Sequence, residues 1–421
     1  MKYLAVLGRQ PEISIAELEA QFPEAQFFLG GSCRTFSSPK NEGIFGGPPP
    51  CPSPAQITFF EYILREPIID IDRLGGTLKL AIELEVKPLE YLMGLPEGKI
   101  TLGVSDYAAK GSRKTAEQEA LKLKKILVRH GRSVRVVPNN EAVLSTATSL
   151  HNGLSGKNPR KVELIRTDEG WFRTIGVQDI DAYSRRDQAR PARDAFVGML
   201  PPKLAQILIN LCGPLKPGST VLDPFCGTGV VLQEALLMGY RAYGTDISER
   251  MVEYSRCNLV WILNSSSSGP EVLAPVFTGL GFLRSRQQPA RVPSKELFRI
   301  QTADARFFHW EKPIDAVACE GYLGKPFSKM PTEMERKEQK QKCAAIILGF
   351  LKNLAGQIKV GTPVTIAAPA WLMENGRYDR MEILDLVSDL GYNVDIKTRE
   401  GLLYRREGQI VARDILILRK K

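Results

Sequence analysis

One run of seven residues, Asp223–Gly229 (D-P-F-C-G-T-G), constrains this chain more than any other feature. The sequence predicts a short buried strand at 219–222 before it and a helix at 230–238 after it. A glycine-rich turn between a strand and a helix lets the backbone approach a ligand, with helix N–H groups pointing into the gap. Asp223 is placed for the cationic end of such a ligand. A second predicted strand ends at Asp246, whose carboxylate suits the two hydroxyls of a ribose.

The run lacks the G-x-G-x-x-G of a dinucleotide site and the terminal G-K-[ST] of a P-loop. It resembles motif I of the S-adenosylmethionine-dependent methyltransferases, in particular those that methylate exocyclic amines of nucleic-acid bases. A tight turn in an unrelated α/β protein is the alternative, but it leaves the spaced acid at 246 unexplained. The resemblance implies S-adenosylmethionine as cofactor, and Asp304 would face its adenine unless that residue only caps a helix. The implied cofactor contacts are Asp223, Pro224, Phe225, Cys226, Gly227, Thr228, Gly229, Asp246, Ile247, Asp304 and Ala305.

The composition bounds the partners and the compartment. Lys and Arg number 57 against 47 Asp and Glu, which gives a net charge of +10. This surplus favours a polyanionic partner, although a moderately basic enzyme would also show it. The seven cysteines form no C-x-x-C pair and there are three histidines, so we expect neither a metal site nor a disulfide framework. No stretch approaches the roughly 20 apolar residues of a membrane span, and we expect a soluble, cytoplasmic protein.

The segment Lys110–Arg135 is strongly basic, with nine Lys or Arg and two acids. Taken alone, such a run predicts a solvated helix face. It stands within a pattern that resembles a THUMP domain, an RNA-binding module found ahead of several RNA-modifying enzymes. The other matching stretches are G-V-S-D-Y at 103–107, S-V-R-V-V at 133–137 and A-V-L-S-T-A-T-S-L-H-N-G-L at 142–154. The resemblance implies that the residues in contact with RNA include Lys110, Arg113 and Lys114.

The connector between the two halves carries the most family-specific pattern of the chain. From Arg186 it runs R-D-x-x-R-P-x-x-D-x-x-x-G-M-L-P-P-K-L-A-Q. This closely resembles the same region of the tRNA guanosine-10 N2-methyltransferase family. By that resemblance the cofactor pocket is also lined by Met199, Leu200 and Pro201. Four charged residues would hold the domains together or border the base pocket, although structural salt bridges explain them equally well: Arg185, Asp187, Arg190 and Asp194.

The stretch after the fourth strand of the second half departs from the family. Enzymes that methylate an exocyclic amine place an acceptor against its N–H groups and an aromatic ring against the base. The relatives carry these groups as [D/N]-P-P-[Y/F], and this chain has no such tetrapeptide. Cys319–Phe327 (C-E-G-Y-L-G-K-P-F) stands in that place. We expect Glu320 to orient the amine and Tyr322 to stack on the base. In the alternative, Cys319 aligns with the missing acid and the enzyme is weak or inactive.

The expected fold is α/β, a Rossmann-like S-adenosylmethionine-dependent methyltransferase behind an α+β, THUMP-like RNA-binding region. Helices are predicted at 140–151 and 377–390, and an antiparallel pair at 392–399 and 410–419. A Gly-, Ser- and Pro-rich segment is expected at 30–56 and a surface insertion at 264–295. The predicted parts are a ferredoxin-like lead-in at 1–56, a THUMP-like domain at 57–180, a connector at 181–202 and the methyltransferase domain at 203–421.

The predicted function is methyl transfer to the exocyclic N2 of a guanosine in tRNA. We expect a monomer, and the need for a small activating subunit stays open because several relatives need one. Two other functions remain open at this point. The first is an amino-methyltransferase that acts on DNA or ribosomal RNA, and the second is an RNA-binding protein that keeps the cofactor fold without catalysis.

Overall fold

The structure is a computed structural model that describes residues 2–29, 57–61, 69–194, 199–265, 297–311, 313–406 and 408–421. It divides into two compact units, Met1–Asp181 and Ala182–Lys421. The predicted segment 30–56 lies outside the described residues, and so does 264–295 apart from its first two residues. Over the part of the chain that is described, no helix combines the length and the apolar character that crossing a membrane requires.

The first unit is built on one mixed sheet of eight strands. In chain order they are β1 (Lys2–Leu7), β2 (Gln26–Leu29), β3 (Ile57–Glu61), β4 (Thr77–Glu83), β5 (Ile100–Asp106), β6 (Val134–Val136), β7 (Lys161–Thr167) and β8 (Gly170–Val177). Across the sheet their order is β2-β3-β1-β4-β8-β7-β5-β6. Strand β5 pairs in parallel with both β6 and β7, while β7 and β8 form the predicted antiparallel hairpin. The sheet takes strands from both the predicted lead-in and the predicted THUMP-like domain, and the boundary between these two stays a prediction.

The helices of this unit are α1 (Pro11–Gln21), α2 (Pro88–Met93), α3 (Arg113–Arg129) and α4 (Thr146–His151), and α5 (Ile180–Gln188) crosses into the second unit. The basic helix α3 begins with a capping box, in which Ser112 Oγ accepts a hydrogen bond from Thr115 N at 3.1 Å. Its apolar positions recur every three or four residues and are buried: Ala116, Ala120, Leu123 and Leu127. The basic side chains of α3 are therefore left on its outer face.

The predicted helix at 140–151 is wrong over its first half. Helix α4 begins only after Ser145, whose Oγ accepts from Thr148 N at 3.0 Å. The preceding residues bind β5 instead, because Leu144 N donates to Ser105 Oγ at 2.9 Å and Asp106 N donates to Ala142 O at 2.9 Å. The backbone groups of Ala142 and Leu144 are therefore hydrogen-bonded to β5 and are not available for a helical turn.

A fully buried ion pair lies beneath this loop. Lys79 Nζ is 2.6 Å from Glu163 Oε1, and the two side chains are 1% and 0% exposed. Ser105 Oγ donates to the same oxygen at 2.6 Å, and Ser149 Oγ donates to Glu163 Oε2 at 2.7 Å. Lys79 also donates to Leu144 O at 2.7 Å. Both charges are thus paired and hydrogen-bonded, which is what burial of an ion pair requires.

The second unit holds a nine-stranded sheet. Its strands are β9 (Thr220–Asp223), β10 (Arg241–Asp246), β11 (Phe298–Thr302), β12 (Ala316–Glu320), β13 (Pro363–Leu372), β14 (Tyr378–Asp379), β15 (Tyr392–Val394), β16 (Leu403–Tyr404) and β17 (Val411–Lys420). The order is β11-β10-β9-β12-β13-β17-β15, with β14 on β13 and β16 on β17. The first five are parallel, and β17 runs antiparallel to β13 and β15. The chain reverses direction across the sheet between β9 and β12, which is where open α/β sheets bind ligands.

The helices of this unit are α6 (Pro202–Asn210), α7 (Val230–Leu237), α8 (Glu249–Ser265), α9 (Glu333–Ala355), α10 (Leu384–Asp389) and α11 (Ile396–Glu400). Helix α9 packs on the sheet over a core of large side chains that are fully buried: Trp310, Phe350, Trp371 and Tyr392. The predicted helix at 377–390 is wrong at its start, because Tyr378 and Asp379 pair with β13. The predicted strand at 392–399 ends at Val394, since Asp395 Oδ1 accepts from Lys397 N at 2.9 Å and caps a helical turn.

Candidate active site

The glycine-rich turn after β9 packs closely against its neighbouring strand and helix. Gly227 and Gly229 have φ of 50° and 82°, in the left-handed region that favours glycine. A Cβ at Gly229 would lie 2.8 Å from Ser255 Oγ on α8. Cys226 N donates to Thr245 O at 2.9 Å, which ties the turn to β10. The turn is therefore held against the neighbouring strand and helix, and a side chain at 229 would displace it.

Three carboxylates gather at the carboxyl ends of β9, β10 and β12. Asp223 ends β9 and is buried, and Asp246 and Glu320 end the strands on either side. Asp246 accepts from Gly227 N and from Ser248 N, both at 2.9 Å. Burial raises the pKa of Asp223 well above its usual range, and the charges of Asp246 and Glu320 raise it further. A cationic ligand would relieve this crowding of negative charge.

Asp304 is engaged within its own loop. Arg306 Nη2 donates to Asp304 Oδ2 at 2.6 Å, Arg306 Nε to Oδ1 at 3.0 Å, and Arg306 N to Oδ1 at 2.9 Å. The hydrogen bond from Arg306 lowers the pKa of Asp304. Ala303 N donates to Asp246 O at 2.8 Å, so the loop does lie beside the end of β10. The role of Asp304 beside an adenine stays a prediction. Nearby, Ile247 is 70% exposed and Ala305 is buried.

The charged residues of the connector divide into two groups. Arg186 makes a bidentate pair with Glu234, at 2.7 and 3.2 Å, and Arg250 pairs with the buried Asp194. These are structural salt bridges. Arg185 is exposed. Two more predicted residues, Asp187 and Arg190, form a longer ion pair at 3.4 Å.

Arg190 is the unusual member of the connector, because its side chain is 1% exposed and only loosely paired. Its Nη2 lies 3.4 Å from Asp187 Oδ1 and 3.7 Å from Met199 Sδ. Its Nε and Nη1 find no hydrogen-bond partner among the described residues. Burial lowers the pKa of Arg190. Two of the predicted cofactor residues, Leu200 and Pro201, are buried at the start of α6.

Asn258 joins the connector to the glycine-rich turn, and the sequence prediction missed it. Its Oδ1 accepts from Ala192 N at 3.0 Å, and its Nδ2 donates to Ala192 O and to Thr228 O, both at 2.9 Å. The side chain is completely buried. A polar residue on the buried stripe of α8 is the signal that could have revealed this link.

Glu320 is the last residue of β12 and Tyr322 lies in the loop that follows, and their roles as acceptor and stacking ring stay predictions. Cys319 is completely buried in the core, whereas Glu320 ends β12 and keeps 16% of its side chain exposed. Arg413 Nε, on β17, donates to Glu320 Oε1 at 2.8 Å. Burial raises the pKa of Glu320, and the Arg413 guanidinium opposes that rise. Tyr322 is half-buried at the edge of the core, with Lys342 Nζ 5.7 Å from its ring centre.

The predicted RNA-binding residues of the first unit lie around the start of α3. Lys110, Arg113 and Lys114 are exposed, and Arg113 pairs with Glu117 at 2.9 Å. No group of three or more His, Cys, Asp or Glu side chains among the described residues is arranged to hold a metal ion.

The second unit has the fold of a Rossmann-like, S-adenosylmethionine-dependent methyltransferase. Five parallel strands with a reversal at β9, an antiparallel strand inserted beside the fifth, and a glycine-rich turn flanked by acids define that class. The predicted fold class and cofactor are confirmed, whereas the THUMP-like nature of the first unit stays a prediction.

Comparison with known proteins gives partial matches to methyltransferases. A family model described as DNA methylase matches residues 112–256. The tRNA (guanine(10)-N2)-dimethyltransferase of Methanothermobacter thermautotrophicus is 53% identical over 75 residues, which are 17% of this chain and 22% of that protein. The enzyme of the same name from Pyrococcus abyssi is 48% identical over 60 residues, 14% of this chain and 17% of that one. The matches thus span about a fifth of the length of these relatives. They confirm the resemblance to this family over the stretches they cover.

A solved structure was also matched, that of TrmN from Thermus thermophilus. The match covers 100% of both chains at 16% sequence identity, with a TM-score of 0.43. A likeness of that size does not establish a shared fold.

Proposed function

We propose that this protein transfers a methyl group from S-adenosylmethionine to the exocyclic N2 of a guanosine in tRNA. The observation that carries the proposal is that Glu320 ends β12, next to β9, which ends at Asp223. The partial matches to tRNA guanine-N2 methyltransferases support the choice of substrate.

The residues at the carboxyl ends of β9 and β10 fit the methyl donor. When bound, S-adenosylmethionine supplies a methyl group on a positively charged sulfur. Asp223 is a buried carboxylate crowded by other acids, which suits a cationic ligand. Asp246 is placed for ribose hydroxyls, and the backbone of Gly227–Gly229 allows close approach. Asn258 holds this turn in place.

Glu320 suits guanine better than the other bases that carry an amine. An ionised carboxylate only accepts hydrogen bonds. Guanine presents two adjacent donors, N1–H and N2–H, whereas adenine and cytosine present a ring acceptor next to their amine. In this role Glu320 would align the amine and take a proton from N2 as the N–C bond forms and the methyl–sulfur bond of the donor breaks, which leaves S-adenosylhomocysteine. Tyr322 holds the ring flat by stacking.

The first unit would hold the body of the tRNA. Lys110, Arg113 and Lys114 are exposed at one end of a basic helix, where they can pair with phosphates. Folded RNA is recognised mainly by such backbone contacts and by shape. The target guanosine must leave its stack before it can reach the second unit.

The test is to incubate the purified protein with methyl-labelled S-adenosylmethionine and bulk tRNA, and then to digest the product to nucleosides. We expect label in N2-methylguanosine, in the mono- or dimethyl form. Label in DNA or ribosomal RNA but not in tRNA would contradict the proposal. RNA binding without label, in the presence of donor binding, would indicate a protein that has lost catalysis.

An amino-methyltransferase that acts on DNA is the second candidate, favoured by the description of the matching family model. The same assay with unmethylated DNA separates the two, because the products are methylated adenine or cytosine. Activity of the chain alone on tRNA would also exclude the need for an activating subunit.

A further inference from the structure

We propose that Arg413 is the positioning residue that holds Glu320 as an ionised acceptor with one carboxylate oxygen directed to the substrate amine. This inference rests on the proposed role of Glu320 in methyl transfer. It assigns a function to a residue 93 positions away in sequence.

Arg413 is rigidly mounted. It lies on β17, which is paired on one side with β13 and on the other with β16, opposite Pro369 and Tyr404. Its side chain is 6% exposed. Nε donates to Glu320 Oε1 at 2.8 Å and Nη1 donates to Gln409 Oε1 at 3.1 Å. A guanidinium held at two points has little freedom to follow a moving carboxylate.

Glu320 needs such support because its own loop is less constrained than in the relatives. Gly321 follows it, where the family motif has a proline, and a glutamate has one more rotatable bond than an aspartate. Gly321 N donates to Ala367 O at 3.0 Å, which fixes the backbone but not the side chain. The bond from Arg413 removes rotamer freedom that substrate binding would otherwise have to remove.

The second oxygen of Glu320 stays open. Oε1 takes the bond from Arg413, and no other hydrogen bond to this carboxylate comes from the described residues. Since 16% of the side chain is exposed at the end of β12, we assign Oε2 to the substrate. A carboxylate whose two oxygens both accepted hydrogen bonds from the protein could not bind a substrate amine in this way.

The surrounding charges act on Glu320 in opposite directions. The groups that face it are Asp223, Cys319, Arg406 and Arg413. Burial raises the pKa of the carboxyl, whereas Arg413 and then Arg406 lower it. Removing Arg413 therefore raises the pKa of Glu320 further. An acceptor must be ionised, so the loss of activity on acidification would begin at a higher pH.

The experiment compares Arg413→Met and Arg413→Lys with the unmodified chain. We expect Arg413→Met to lower kcat at neutral pH by about 10-fold or more, and to shift the acidic limb of the kcat profile upward by about one pH unit or more. At alkaline pH only part of kcat should return, because Glu320 is ionised there but is no longer oriented. Arg413→Lys keeps the positive charge but loses the planar guanidinium with its several donors. It should return the acidic limb of the kcat profile to its original pH, but it should recover only part of kcat. The KM for tRNA should change less than kcat.

A direct titration separates this inference from the proposed function. The chain is labelled with carbon-13 at glutamate carboxyls, and the Glu320 signal is identified by its loss in Glu320→Gln. We expect its midpoint to rise in Arg413→Met whether or not tRNA is the substrate. Donor affinity and thermal unfolding are measured on each variant, to show that it is folded.

Two results would overturn the inference. One is an unshifted midpoint of Glu320 in Arg413→Met. The other is a loss of kcat that is equal at every pH, which would show a structural role only. If the midpoint shifts as expected but the unmodified chain transfers no methyl to tRNA, the proposed function fails and the ionising effect of Arg413 stands.

Discussion

Each unit of the molecule contains a buried carboxylate paired with a buried cation, and the two pairs differ in how completely they are bonded. In the first unit Glu163 receives three side-chain hydrogen bonds, two on Oε1 and one on Oε2. In the second unit Glu320 receives one from the described residues, that of Arg413. The exposed fraction of the side chain is 0% for Glu163 and 16% for Glu320.

This difference separates a structural ion pair from one that can take part in chemistry. In the Lys79–Glu163 pair both carboxylate oxygens already accept hydrogen bonds, so we call it the saturated pair. Its hydrogen bonds join β4, β5, β7 and α4. The pair at the end of β12 is buried enough for its proton affinity to be altered and open enough to accept one more bond. Burial alone therefore does not distinguish the two pairs, whereas the carboxylate oxygen without a bond from the described residues does, and the proposed function uses that oxygen.

The largest expected effect tests the saturated pair. Lys79→Met removes the cation and leaves Glu163 buried, so the free energy of unfolding should fall by about 3–5 kcal/mol. Urea unfolding at fixed pH measures it. Lys122→Met is the matched control, since Lys122 is 66% exposed and paired at 3.7 Å, and it should cost less than about 1 kcal/mol. Equal losses of unfolding free energy in Lys79→Met and Lys122→Met would show that the buried pair stabilises the fold no more than an exposed one does.

The next effect concerns the open pair. Glu320→Gln keeps an oxygen for Arg413, so the free energy of unfolding should change by about 1 kcal/mol or less. Methyl transfer should fall by about 100-fold or more, because a neutral amide cannot take the proton. Glu253→Gln, on an exposed side chain of α8, serves as control. Full activity of Glu320→Gln would show that this carboxylate is structural too.

Asn258 stands between these two cases. Its side-chain amide is fully hydrogen-bonded, as Glu163 is, yet it contacts the glycine-rich turn of the proposed donor site. Asn258→Ala leaves Ala192 and Thr228 backbone groups without their partner, and the free energy of unfolding should fall by about 2 kcal/mol. Affinity for S-adenosylmethionine, measured by calorimetry, should also fall as the turn loosens. Asn393→Ala at an exposed position of β15 should change neither. Unchanged donor affinity in Asn258→Ala would limit Asn258 to a structural role.

The smallest expected effect on stability concerns the exposed charges of α3. Replacing Arg113 and Lys114 together with Gln should change the free energy of unfolding by less than about 0.5 kcal/mol. The affinity for tRNA should fall, and its dependence on salt should weaken by about one unit of slope for each phosphate that the protein no longer neutralises. Lys359→Gln, an exposed lysine of the second unit, is the control. If tRNA affinity depended on salt equally in the double variant and in the unmodified chain, the RNA-binding surface would lie elsewhere.

The sequence predicts the local parts of the site well and its long-range parts poorly. The strand, the turn and the helix around Asp223 are adjacent in the chain, and their residue types alone indicate their conformation. Arg413 and Asn258 act on groups that are 93 and 66 positions away. No spacing rule connects them, because their contacts exist only once the sheet is assembled.

The two wrong helices have a related cause. At 140–145 and at 377–383 the residues carry a helical pattern, yet neighbouring strands offer their backbone groups better partners. Ala142 and Leu144 bind β5, and Tyr378 and Asp379 pair with β13. Periodicity reports the local preference, and tertiary pairing overrides it.

The place of β17 between β13 and β15 also bears on the order in which the second unit can assemble. During synthesis on the ribosome the glycine-rich turn emerges long before β17, the latest strand in chain order. A nascent chain could thus shape its donor pocket while Glu320 still lacks its cation. Under the proposed function, a nascent chain would become competent for methyl transfer only after β17 has paired with β13.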